Sequence, residues 1–279
     1  MTGSRNQSKK GGLAPKILIG IAILYLALVL YIPAANVFVH AFDKGIGPFL
    51  SNLTKPDFLH AAWLTLLLAL VSVPVNTVFG LCAAWALTRN NNFPGRAFIL
   101  SIIDLPFSIS PVVAGLMIVL LYGRNGWLGG WLNEHDIKIV FAFPAMVLAT
   151  AFVSMPFVAR EVIPVLEELG HDQEEAASTL GAKDWQIFWR VTLPNVRWGL
   201  LYGLLLTNAR AMGEFGAVSV VSGNIAGKTQ SLPLFVEDAY KQYQTEAAYS
   251  AAVILGLLAL VTLVLKDILE KRTTIKEVE

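Results

Sequence analysis

The sequence predicts an all-α polytopic membrane protein with six transmembrane helices, and three observations carry that prediction. Of 279 residues, 55% are hydrophobic and only 15% charged, whereas a soluble domain carries about 25% charged residues. Mean hydropathy is +0.60, and the charges cluster so that long windows are almost free of them. This composition excludes a soluble globular enzyme. A formal net charge of +1 gives no basic face for nucleic acid. The single Cys82 permits neither an internal disulfide nor a cysteine metal cluster, and within its apolar run it reads as a small buried hydrophobe.

A bilayer span takes about 20 mostly apolar residues, and six windows meet or approach that length: Ile17 to Val39, Leu59 to Leu87, Ala97 to Tyr122, Ile139 to Val158, Gly199 to Ser222 and Ala247 to Leu265. The first has an apolar core longer than that of a secretory signal, so it reads as a retained helix. The third and fourth contain Pro106, Pro111, Pro144 and Pro156. Proline at membrane depth frees carbonyls that neighbouring helices or water must satisfy, so these segments are expected to pack together or line a cavity. The fifth is polar for a span.

Placing the N-terminus inside puts fourteen Lys and Arg residues in inner segments and six in outer ones, with Arg210 inside a span. The positive-inside rule then predicts that both termini are cytoplasmic. The domain reading is a cytoplasmic tail over residues 1–16, with Met1 to Gly12 expected to be disordered, a six-helix transmembrane domain over 17–270 and a cytoplasmic tail over 271–279. Within the domain, residues 160–198 form the longest cytoplasmic loop.

That loop is too polar for lipid and too punctuated for a linker. Asp172 is placed to cap a helix with Glu175 as its capping-box partner, and Gly181 stands where a left-handed terminator belongs. A second short helix is expected from Ala182 to about Arg190, with Trp185, Phe188 and Trp189 on one face. Leu193-Pro194 is then expected to redirect the chain into the fifth span. A capped, aromatic-rich helix pair is suited to docking. The acidic Asp172, Glu174, Glu175 and Asp184 argue against the alternative of a helix lying on anionic lipid.

Arg210 and Glu214 lie near the middle of the fifth window, where a charge costs roughly 2.5–3.5 kcal/mol. Four residues apart, they are placed to pair along one helix face. Two roles stand open: a structural ion pair holding helices in register, or a guanidinium on the pathway attracting an anionic substrate. Gly223 to Thr229 imitates a nucleotide-binding glycine loop, but only three residues separate Gly223 from Gly227 and no strand precedes it. ATP hydrolysis is therefore not expected from this chain. His40, His60, His135 and His171 are too scattered for a metal site, and no nucleophile elbow occurs.

Glu175-Ala176-Ala177, three residues, Gly181, nine residues, then Val191-Thr192-Leu193-Pro194 resembles the EAA loop of ABC importer permeases at every fixed position and both spacings. Nearly the whole chain from the first span onward is similar to the sulfate/thiosulfate group, especially its W-type member. The segments Ile102 to Gly115, Ala209 to Ala217 and Val220 to Leu234 carry that likeness. Molybdate and tungstate permeases share the Arg-Ala-x-Gly-Glu core, so another oxyanion is the alternative substrate. An ion-gradient transporter is a distant one, since only Arg210, Glu214 and Asp104 would serve as a relay.

The resemblance implies a type I (MetI-like) permease fold without a catalytic site, cofactor or metal of its own. It implies a homologous second permease subunit, two copies of a cytoplasmic ATPase that bind ATP and Mg, and an extracytoplasmic sulfate/thiosulfate-binding protein. Glu175, Ala176, Ala177, Gly181, Leu193 and Pro194 would form the ATPase-coupling loop. Small residues there permit close approach, and Glu175 supplies a charged acceptor. Glu175 capping its own helix is a second role that can coexist with docking.

Overall fold

The computed structural model describes residues 13–89 and 94–276, and every element in it is helical. Met1 to Gly12, expected to be disordered, lies outside the described residues. The first span comprises α1 (Leu13–Leu26), a π turn and α2 (Ile32–Phe42), followed by α3 (Ile46–Leu53) and the long α4 (Pro56–Arg89). Next come α5 (Arg96–Ser108), α6 (Pro111–Tyr122) and the short α7 (Gly129–Glu134). The fourth span joins α8 (Phe143–Ser154) to α9 (Pro156–Leu169) through a helical Met155. The loop helices α10 (Asp172–Thr179) and α11 (Asp184–Ile187) precede a π turn and α12 (Leu193–Met212). Finally α13 (Gly216–Ser222), α14 (Leu232–Lys241) and α15 (Thr245–Lys276) complete the chain.

Among the described residues, four helical stretches are long and apolar enough to cross a bilayer: Pro15–Phe42, Pro56–Arg89, Phe143–Leu169 and Thr245–Leu265. The third window is not a straight helix. It is the pair α5 and α6, bent by 109°. Ile109 is extended, Ser110 has ψ 134°, and Pro111 opens α6; proline disfavours helical backbone in the residue before it, here Ser110. The fifth window is also broken, at Gly213 to Phe215 between α12 and α13. The last helix runs on to Lys276, so the boundary expected after residue 270 is not a break in structure.

Burial follows the inverted logic of a membrane protein. On α4 the residues facing the bundle include Ala61, Thr65, Leu68, Ser72, Asn76, Gly80, Ala84 and Thr88, a stripe repeating every three or four positions. Trp63, Leu66, Leu70 and Val78 face outward. Without a hydrophobic drive between helices in lipid, small and polar residues supply the contacts. Accordingly the Asn76 side-chain amide donates to the Ala151 carbonyl (3.0 Å) and to Ser154 Oγ (2.8 Å), pinning α4 to α8. Cys82 departs from expectation: it is exposed, because it lies off that buried stripe.

Close approach is set by glycine. Gly199 and Gly203, four apart on α12, bring it against α9: a Cβ on Gly203 would lie 2.9 Å from Val158 Cα, and one on Gly199 2.9 Å from the Glu161 carbonyl oxygen. From the other side, a Cβ on Gly80 of α4 would lie 2.6 Å from Val158 Cβ. Thus α9 is clasped between α4 and α12. The second halves of the two broken spans also meet, since a Cβ on Gly115 of α6 would lie 2.6 Å from the Ala217 carbonyl oxygen of α13. Both halves join one apolar cluster with α4 and α8, built from Leu64, Leu68, Ala114, Met146, Ala149 and Val218 among others.

Replacing Gly203 by Leu is expected to destabilise the protein by about 1–3 kcal/mol or more, because the opposing atom is backbone and cannot rotate away. Gly256→Leu, where a Cβ meets nothing within 4 Å, is expected to leave thermal unfolding in detergent unchanged.

Candidate functional site

The loop expected over residues 160–198 starts later than predicted: α9 carries the fourth span on to Leu169, and the chain leaves it only at Gly170 (φ +65°), ahead of the eight-residue α10. Asp172 does not cap α10 as expected. It is the first helical residue, His171 occupies the cap position, and no side chain closes that end. The backbone amides of Glu174 and Glu175 instead both donate to the His171 carbonyl (3.0 Å each). Glu175 therefore does not act as a capping-box partner, and its side chain is exposed. Asp172, Glu174 and Glu175 all stand in the first turn, where the helix dipole favours negative charge.

The other end is as the sequence predicts. Gly181 has φ +82° and terminates α10; its N–H donates to the Ser178 carbonyl (2.9 Å), and the Ala182 N–H donates to the Ala177 carbonyl (3.1 Å). These two bonds form the Schellman closure that a left-handed residue permits. Beyond it, the Lys183 N–H donates to Gln186 Oε1 (2.9 Å), opening α11.

From Asp184 to Met212 the backbone stays helical, so Leu193-Pro194 does not redirect the chain. The π turn Phe188–Thr192 absorbs the proline: the Leu193 N–H donates to the Phe188 carbonyl five residues back, so the ladder widens where Pro194 supplies no donor. Nor do the three aromatics share one exposed face. Trp185 and Trp189 are exposed, while Phe188 turns partly inward and meets Trp189 edge-on at 5.6 Å.

The six EAA-loop residues consequently divide. Glu175, Ala176, Gly181 and Pro194 are exposed; Ala177 is half-buried; Leu193 packs against the cluster of Ala84, Val158, Val162, Leu166 and Val196. With Leu180 (88% exposed), Trp185 and Trp189, the outward residues form a small-residue helix bordered by apolar side chains.

A half-buried charged cluster behind α10 was not singled out from sequence. Glu174 accepts two hydrogen bonds from Arg89, at Oε2 from Nε (2.6 Å) and at Oε1 from Nη2 (2.9 Å), and a third at Oε1 from the Thr192 hydroxyl (2.5 Å). Both side chains are mostly shielded, at 11% and 17% exposure. Burial pushes the Glu174 carboxyl up, but the hydrogen bonds from Arg89 and Thr192 and the charges of Arg89 and His171 outweigh it and hold the group below its ordinary value. Arg89, 85 positions away, closes α4. A lone arginine at the end of an apolar run was the available signal; nothing local pairs it with Glu174.

Arg210 and Glu214 do pair, Nη1 to Oε2 at 2.7 Å, with Glu214 buried and Arg210 31% exposed. They do not lie along one continuous helix, because α12 ends at Met212 and Glu214 stands in the break. There its Oε1 accepts the Ala217 N–H of α13 (2.8 Å), so one carboxylate clamps both half-helices. Asp104 is also paired, with Arg160 at 2.7 Å, and the guanidinium lies 5.0 Å over the Phe107 ring. In the glycine-rich segment the Thr229 hydroxyl donates to the Ser222 carbonyl (2.7 Å), folding the loop onto itself. An apolar cavity of about 630 Å³ lined by Met117, Leu121, Trp127, Leu148 and Phe152 contains none of the candidate residues.

The chain is thus a bundle of apolar, partly broken helices bearing a short, outward-facing helix on one long loop, an architecture suited to a transport permease subunit. The model of the family described as "Binding-protein-dependent transport system inner membrane component" matches residues 76–275. The chain belongs to that family and is a multi-pass component of a multi-subunit ABC importer system.

It is 70% identical over 257 residues to the sulfate transport system permease protein CysW of Synechocystis sp., covering 92% of this chain and 93% of that one. Against CysW of Escherichia coli K12 the identity is 56% over 255 residues, 91% and 87% of the two chains. Against CysT of the same organism it is 40% over 244 residues, 87% and 88%. The fold resembles that of a chain in the crystal structure of a bacterial alginate ABC transporter complexed with its pentasaccharide-bound periplasmic protein, with TM-score 0.79 at 17% identity, covering 94% and 95%. It also resembles a chain of the inward-facing MetNI methionine transporter, with TM-score 0.58 at 20% identity, covering 77% and 95%.

Because the folded-state value of Glu174 is lowered, its ionised contacts stabilise the fold fully above the ordinary 4.5 and weaken as pH falls through the lowered value. Glu174→Gln is expected to cost about 2 kcal/mol in detergent unfolding. The deficit should stay constant over about pH 6–8 and shrink only in the acid range.

Proposed function

We propose that this chain is one of two permease subunits of an importer that moves sulfate or thiosulfate inward across a bacterial cytoplasmic membrane, driven by ATP hydrolysis on a partner. The 70% identity to a protein named as a sulfate transport permease, spanning 92% of the chain, is the observation that carries the reading. The EAA-loop geometry supports its mechanical part. The exposed face of α10, closed by Gly181, is the coupling helix and seats in a groove of a cytoplasmic ABC ATPase. Glu175 supplies a charged acceptor there, while Ala176, Ala177 and Gly181 allow close approach.

In this reading two ATPase subunits bind ATP and Mg, and this chain binds no cofactor or metal. Their closure moves two coupling helices and rocks the attached spans between inward- and outward-open states. The second permease is a distinct homologous chain, a view supported by the coexistence of 56%- and 40%-identical relatives with different names in one organism. An extracytoplasmic binding protein delivers the anion, both termini are cytoplasmic, and the outward apolar faces contact lipid. Recognition of the dianion rests mainly on the binding protein, whose directed N–H groups can replace its hydration.

The Arg210–Glu214 pair is structural in the first instance, because Glu214 also holds the start of α13. The part of the guanidinium left exposed faces solvent or pathway and attracts anions weakly.

Gly181→Leu and Glu175→Lys are expected to leave membrane insertion intact while ATP hydrolysis no longer drives uptake in the reconstituted importer. Wild-type transport in both would overturn the coupling assignment. Arg210→Gln tests the pathway role: normal assembly with uptake reduced by about tenfold supports it, and loss of the complex assigns the pair to structure alone. Labelled sulfate uptake is expected to be competed by thiosulfate more strongly than by molybdate, and the reverse order would transfer the assignment to molybdate.

A further inference from the structure

The helix α10 is joined to the chain by a positive-φ glycine turn on each side. Gly170 (φ +65°) separates it from α9, Gly181 (φ +82°) separates it from α11, and nothing lies within 4 Å of where either Cβ would be. It has no buried residue, so apolar packing does not fix it, and eight residues are too few for a helix to be rigid alone. A displacement imposed on such an element would be absorbed at its glycine joints unless something clamps it through space.

Arg89 and Glu174 provide that clamp. The planar guanidinium fork makes two parallel bonds that fix distance and orientation together, and Arg89 is the last residue of the 34-residue α4. Its Nη1 also lies 3.5 Å from the Leu166 carbonyl near the end of α9. The Thr192 hydroxyl brings the start of the fifth span to the same carboxylate. A second tie from α10, Asn195 Nδ2 to Gln173 Oε1 at 2.6 Å, is exposed and neutral, and water competes with it. The other arginine–carboxylate pairs nearby, Arg96 with Glu167 and Arg160 with Asp104, join α5 to α9 and do not reach α10.

We propose that Arg89, Glu174 and Thr192 form the strut through which movement of α10 is passed directly into the second, fourth and fifth spans, with Arg89 and Glu174 as positioning residues for transport. The inference rests on the coupling-helix reading given above. Glu175 and Glu174 then divide the labour, the first facing the ATPase and the second facing the permease.

The test uses the complete importer, with ATPase, partner permease and binding protein, reconstituted in vesicles. Sulfate taken up per ATP hydrolysed is compared for wild type, Arg89→Gln, Glu174→Gln, Thr192→Val and the charge swap Arg89→Glu with Glu174→Arg. The single charge variants are expected to assemble with the ATPase and hydrolyse ATP, but to transport about tenfold less per ATP. The swap should recover much of that loss, and Thr192→Val should show a smaller deficit.

Wild-type stoichiometry in the single charge variants would overturn the strut, as would failure of all four variants to assemble, which would assign the cluster to folding. Glu175→Lys measured alongside separates the two readings. If it uncouples while the Arg89 and Glu174 variants behave as wild type, only the strut fails. If it too transports normally, the coupling-helix reading fails with it.

Discussion

A charge taken out of water must find its counter-charge within the protein, and the organisation of this chain depends on how that demand is met. Arg210 pairs with Glu214 and Arg89 with Glu174. Each pair stands where a helix breaks or ends: between α12 and α13, and where α4 meets the loop that carries α10. Lone charges there would cost several kcal/mol. Paired, they become fixed points around which apolar helices are arranged.

The breaks belong to the same economy of polar groups. A straight span satisfies its own backbone, whereas a broken one exposes amides and carbonyls at membrane depth. At the fifth span, Glu214 takes up the Ala217 amide and Gly115 lets α6 pack against the Ala217 carbonyl. Pro194 is accommodated differently, by a π turn that keeps the helix continuous. Two prolines and one carboxylate thus give three outcomes in related segments: a bend of 109° at Pro111, an uninterrupted helix at Pro194 and a break clamped by Glu214.

At the loop, tight turns and charge pairing together set the position of α10. Positive-φ glycines turn the chain at each of its ends, and a carboxylate–guanidinium fork holds it through space. The same short helix therefore presents small residues and Glu175 outward and turns Glu174 toward the bundle, the two carboxylates being neighbours about 100° apart around the helix.

Composition alone placed the chain in a membrane, and hydropathy located four of the six expected spans as helices of bilayer length, with the third as a bent pair, because a bilayer demands lengths that any apolar run reveals. The EAA spacing and the left-handed Gly181 were also legible, since both depend on residues close in sequence. The capping role expected of Asp172 and Glu175, the turn expected at Pro194 and the burial expected of Cys82 were not met. Each depends on which neighbour a side chain or carbonyl faces. Only the tertiary structure decided that the third and fifth windows are broken, that Gly199 and Gly203 seat α12 on α9, and that Arg89 finds Glu174 across 85 positions. Periodicity records which face of a helix is apolar, but a partner brought from another helix leaves no mark in the sequence beside it.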